Sequence, residues 1–179
     1  MASYLYGIKS VKHGAVVATG SGFAMPASGD LTPWAYTVQG SLTISEDEST
    51  TTEFYVEEVT TPVHSIVTDP GKLTMTWRAY DMTPDLIAVM KGGTAATGTG
   101  VDYYYGPESV EPIERSLEIT TTNDIVFEIP RASCLARFDS VLGRENLLEM
   151  EVKATALAPE TTGAGATDQA PYRFRIPTT

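Results

Sequence analysis

The residues able to do chemistry are few and poorly placed for it. His13 and His64 each lack a second histidine four positions away or a nearby cysteine, the patterns that build a zinc site. His64 therefore reads as a strand-end or surface histidine. Cys134, in "RASCLARFDS", has no neighbouring pattern that would lower its pKa, so a buried, inert thiol is expected. "GGTAATGTG" at 92–100 evokes a phosphate loop. It lacks the closing Lys-Ser/Thr and a following helix, and "VDYYYG" after it reads as a strand, so a flexible loop tip is expected. No G-x-S-x-G elbow is present for serine chemistry. The Glu57–Glu58 pair has the residue type for glycoside hydrolysis, but strand neighbours point to opposite faces. Tyr103, Tyr104 and Tyr105 read as interface or sheet filler rather than a ligand platform. No catalytic residue, metal ligand or cofactor is expected, and the chain reads as a non-enzyme.

The elements around these residues alternate like strands. "KLTMTWRAY" puts Leu73, Met75, Trp77 and Ala79 on one face and Lys72, Thr74, Thr76 and Arg78 on the other. "VQGSLTI" groups Val38, Leu42 and Ile44, and "TEFYVEE" sets Phe54 and Val56 against Glu53, Tyr55 and Glu57. "IERSLEIT", "DIVFEIP" and "LLEMEVKATAL" continue the period of two, the last despite its helix-forming residues. Turns are marked by "TDPGK", "TTND" and "VLGRENL". This spacing predicts a mainly β fold, an antiparallel sandwich or barrel. Three stretches resist strand assignment and read as long, mobile loops: 19–37, 45–52 and 158–171.

"YDMTPDLIAVMKGGT" breaks the pattern. Thr83 suits an N-cap, Pro84 the first helical position and Lys91 the last turn, and Gly92 or Gly93 suits the left-handed cap. A short helix over about 83–91 is predicted, docking through Leu86, Val89 and Met90.

At 179 residues the chain fits one domain, 1–179, able to bury a core without disulfide or metal. Twelve basic and 23 acidic residues give a net charge of −11, the wrong sign for a conventional nucleic-acid binder. The opening "MASYLYGIKSVKHG" lacks a basic start followed by an uninterrupted apolar segment, so no secretory signal is expected. No apolar stretch approaches the ~20 residues that span a bilayer, and no membrane association is expected.

The order of these segments resembles the major tail tube proteins of long-tailed bacteriophages. The resemblance rests on "VQGSLTISEDESTTTEFYVEEVTTPV", then "GKLTMTWRAYDMTPDLIAVMKGGT", then "IVFEIPRASCLARFDSVLGRENLLEMEVKATAL". It spans about residues 5–176, and the strand–helix–Gly-Gly segment is its most telling part. That family shares its fold with the inner tube proteins of contractile injection systems. The resemblance implies a β-sandwich with one flanking helix that assembles into hexameric rings, stacked as a hollow tube through which DNA is ejected without specific binding. It implies sister copies as partners, together with tape-measure, terminator and baseplate or tip proteins. It also implies location in the virion tail, with assembly in the host cytoplasm. On this reading Glu46, Asp47, Glu48, Glu53 and Glu57 are candidate lumen or inter-subunit acids, and Phe23, Met25, Leu31 and Trp34 form a candidate assembly loop that orders on stacking. The alternative is a non-enzymatic β-sandwich binding module of the adhesin or carbohydrate-binding type, using Trp34, Trp77 or the tyrosine group. A hydrolase would need a clustered carboxylate pair that the spacing does not reveal.

Overall fold

The computed structural model describes residues 7–20, 22–34, 36–80, 83–140, 147–161 and 168–177. The first half of the chain supplies β1 (Ile8–Gly14), β2 (Thr32–Trp34), β3 (Thr43–Glu46), β4 (Thr50–Val56), β5 (Val59–Asp69) and β6 (Leu73–Ala79). Helix α1 (Pro84–Lys91) follows, then β7 (Thr94–Gly98) and β8 (Val101–Tyr105). The rest comprises β9 (Ile113–Thr121), β10 (Val126–Phe138), β11 (Met150–Ala156) and β12 (Arg173–Arg175).

Eight strands form one antiparallel sheet in the order β2-β1-β9-β10-β11-β6-β3, with β12 beside the first half of β10. Its core follows from alternation. Met75, Trp77 and Ala79 of β6, Met150, Val152 and Ala154 of β11, and Leu117 of β9 are fully buried, while Lys72, Thr74, Thr76 and Arg78 lie on the opposite side. Each large apolar side chain buried this way contributes about 1.5–3 kcal/mol.

The sheet is not flat. β2 and β6 are five strand positions apart, which is about 24 Å at ~4.8 Å per strand in a flat sheet. Yet Trp34 of β2 meets Trp77 of β6 edge to face, with ring centroids 5.8 Å apart. The sheet must therefore fold over itself into a sandwich-like pair of layers. Part of the bend lies in β10, where the register shifts between Ile129 and Ala132 around the buried Pro130. The Ser116 hydroxyl donates to the Pro130 carbonyl at 2.6 Å and fixes the kink. The seam is joined by the chain after β2: Thr37 bridges Ala79, and the Val38 N–H donates to the Arg78 carbonyl at 2.9 Å.

Helix α1 packs on β9 and β10 on one side and on the β7–β8 hairpin on another. Of the docking residues predicted, Leu86 and Met90 are buried and Val89 is half-buried; Ile87 is buried as well. The double glycine has a steric reason. Gly92 and Gly93 adopt φ of 81° and 92°, and a Cβ at Gly93 would stand 2.2 Å from the Tyr105 carbonyl.

Several expected loops are ordered. Residues 45–52 hold the end of β3 and the start of β4, and 92–100 contain β7 and its turn into β8 instead of a loop tip. Within 19–37 lie β2 and the bridges Thr19–Thr161 and Gly22–Asp168. "VQGSLTI" contributes only Thr43 and Ile44 to a strand, the edge strand β3, where Ile44 is partly exposed. Residues 141–146 of the expected "VLGRENL" turn and 162–167 of the 158–171 stretch lie outside the described residues.

Candidate functional site

The β4–β5 hairpin leaves the sandwich altogether. Every residue of both strands is exposed, including Phe54, Tyr55, Val56, Val59, Val63, Ile66 and Val67. At ~3.3 Å per residue, the 11 residues of β5 make an arm about 36 Å long. The register puts Phe54 opposite His64 and Thr52 opposite Ile66 on one face. Thr51 opposite Val67 and Glu53 opposite Ser65 lie on the other. Both faces thus carry large apolar side chains. The expectation that "TEFYVEE" buries one face and exposes the other does not hold, since none of the described residues buries either face.

The arm is also acidic. From Glu46 to Asp69 the chain carries seven acidic residues and no lysine or arginine. Glu46, Asp47 and Glu48 stand at its base, Glu53 projects from β4, and Glu57 sits with Glu58 in the tip turn. These predicted acids line one arm instead of converging on a point. At the base the Asp47 N–H donates to the Lys72 carbonyl, and a Cβ at Gly71 would lie 1.9 Å from the Asp47 carbonyl, so the crossing requires glycine. On the arm the Tyr55 hydroxyl donates to Glu53 at 2.6 Å, and that hydrogen bond raises the phenol's pKa.

A cleft of about 710 Å³ opens between the start of β1, the end of β9 and the segment 36–44. Ile8, Trp34, Val38, Leu42 and Ile44 supply apolar wall, and Lys9 is the one charged side chain among the described lining residues. Trp34 is 3 % exposed, and its indole N–H has no acceptor among the described residues. Lys9 pairs with Asp124 at 2.6 Å, with both side chains about 60 % exposed, so the pair adds little to stability.

The predicted assembly loop divides between surface and core. Leu31 and Trp34 are buried in the monomer, which removes them as contacts for another copy; Trp34 wedges between His13 and Trp77. Met25 is half-buried, and Phe23 packs under the Arg173 guanidinium, 4.5 Å from its ring centroid. Arg173 and Arg175 in turn neutralise Glu128 and Glu118, buried carboxylates directly opposite each other on β10 and β9. Lys12 closes this row from β1, 2.8 Å from Glu118. Nothing in the spacing flags the row, because its members come from four strands distant in sequence.

Two of the solitary chemistry-bearing residues, His13 and Cys134, are buried. His13 is buried on β1 beside Trp34, and burial first and Arg115 second lower its pKa. Cys134 is buried on β10, and desolvation pushes its thiol up to about 12. His64 is exposed in the middle of β5. Tyr103 and Tyr105 stack 6.2 Å apart on β8, both substantially exposed. Among the described residues no group of three or more His, Cys, Asp or Glu side chains is arranged to hold a metal ion. Among the described residues no helix is long and apolar enough to cross a membrane. No protein-family model and no curated protein matches the chain.

Proposed function

We propose that this protein is a structural tube subunit of the phage tail tube kind, assembling as stacked hexameric rings around a channel for DNA. The observation that carries this reading is the arm. A two-stranded hairpin is marginal in water by itself. One about 36 Å long with apolar groups on both faces is a hydrophobic surface that requires cover. Cover on both faces implies insertion between neighbours, and many identical copies supply those neighbours without a second protein. The outer edges of β2 and β3 have no partner strand among the described residues, so they offer backbone donors and acceptors to adjacent copies. Closure of a ring would satisfy them. The net charge of −11 repels phosphates, which suits a conduit that DNA must leave freely. In this reading the protein has no catalytic role and works beside other tail proteins in the virion.

A second reading has one observation in its favour. The exposed Tyr103–Tyr105 stack has the geometry of a platform for a sugar ring, as an adhesin or carbohydrate-binding module would use. Trp77, the other aromatic considered for that role, is fully buried in the core.

Negative-stain microscopy of the purified protein across a concentration series separates the two. Rings or tubes of one repeating subunit are expected. A monomer at every concentration, combined with glycan-array binding that disappears in Tyr103→Ala/Tyr105→Ala, would replace the tube reading with the binding module.

A further inference from the structure

We propose that the segment 168–175 is an ionic strap, which opens as a unit while the sandwich stays folded, with the buried pair Glu118 and Glu128 as its catch. This device is independent of the tube reading. Charge runs in register across four strands. Lys12 of β1 lies opposite Glu118 of β9, Glu118 opposite Glu128 of β10, and Glu128 opposite Arg173 of β12. Two carboxylates are therefore adjacent and buried, which like charge and desolvation both oppose. Lys12 pairs with Glu118 at 2.8 Å. Among the described residues, the cations paired with Glu128 are Arg173 and Arg175, both from β12. That strand is three residues long and exposed throughout, and both arginine side chains are more than half exposed. Ion pairs with such exposed cations are weak and are screened by salt.

The strap holds three parts of the chain that are distant in sequence. The Phe23 ring lies under the Arg173 guanidinium, and the Phe23 N–H donates to the Asp168 carbonyl at 2.8 Å. Tyr172 and Phe174 cover the buried Phe127, with ring centroids 5.5 and 4.6 Å from it. The Tyr172 hydroxyl donates to Glu46, at the base of the arm, at 3.4 Å. Opening the strap thus frees Phe23 and the arm base together. The aromatic contacts on Phe127 carry no charge, so the carboxylate pair is what makes the strap responsive to ionic strength.

Hydrogen–deuterium exchange of the full chain tests the strap. Glu128→Gln should speed exchange of the 168–175 amides about tenfold, the effect of losing a hydrogen bond to a charged group, and should speed the Phe23 amide with them. Amides of β11 should stay within about twofold of the unaltered protein. Raising sodium chloride from about 0.05 to about 1 M should quicken the same two segments in the unaltered protein, and less so in Glu128→Gln. Circular dichroism checks that the variant is folded. If it is not, Arg173→Gln/Arg175→Gln, which alters only exposed side chains, must give the same exchange pattern. Exchange that quickens equally in β11 would mean that the pair serves the whole sheet, and overturns the strap. Strap amides that ignore both substitution and salt overturn it as well. Quickening confined to 168–175, with Phe23 unmoved, overturns opening as a unit.

Discussion

Protonating His13 would place a second positive charge beside Arg115 inside the core. Its pKa is lowered from 6.5 in the folded chain by burial, so below about pH 6.5 the unfolded chain binds a proton that the folded chain resists. Stability therefore falls as pH drops through that value, with a slope of at most about 1.4 kcal/mol per pH unit from this group. Urea midpoints at pH 8 and pH 5.5 should separate more in the unaltered protein than in His13→Phe, which keeps an aromatic edge against Trp34 and cannot titrate. Equal separations would show that His13 is not the group responsible. Cys134 gives a second test at this scale. A fully buried thiol with a pKa near 12 presents almost no thiolate at neutral pH, so a disulfide reagent at pH 8 should label it only after denaturation. Both residues were visible in the sequence as solitary groups without chemical partners. Their burial was legible for Cys134, which lies in an apolar strand, and not for His13, because its neighbours Trp34 and Arg115 arrive from β2 and β9.

At the scale of elements, helix and arm make opposite demands on the sandwich. Met90 is fully buried on the inner side of α1, so Met90→Ala should cost about 2–5 kcal/mol and lower the thermal midpoint accordingly. The arm, by contrast, adds nothing to the core, since none of its strand residues is buried. Replacing 48–70 with a short Asn-Gly connection should leave a cooperatively folded monomer with a midpoint within a few degrees of the unaltered protein, yet unable to form rings or tubes. A large loss of stability would mean that the arm packs on its own sandwich. The helix was readable residue by residue, because capping, first-turn proline and terminal glycines are local signals. The arm was half readable. Alternation marks "TEFYVEE" as a strand, but period two is the same for a strand with one face buried and one with both faces exposed.

For the whole molecule, assembly should convert an exposed arm into a protected one. A glutamate-specific protease should cut the free monomer at Glu53, Glu57 or Glu58, where the backbone is accessible, and leave assembled tubes resistant there. Continued cutting in intact tubes would place the arm outside the assembly contacts. With seven acidic residues between Glu46 and Asp69, the proposed assembly should be salt-sensitive, because exposed charges are screened over about 8–10 Å at physiological ionic strength.

The sequence by itself determined the local matters: strand periodicity, the capped helix with Leu86 and Met90 on its inner side, the acidic excess, and the absence of spaced catalytic or metal-binding motifs. These are properties of neighbours within a few residues, where backbone geometry alone dictates which side chains share a face. Only the tertiary structure decided that Trp34 is core and not loop, that Glu118 faces Glu128, and that two alternating strands stand free as an arm. Each of these depends on how far the sheet curls. That curl is a sum of twist, the β10 kink and the closing bridge at Thr37, contributions from residues too far apart in the chain for any short pattern to register.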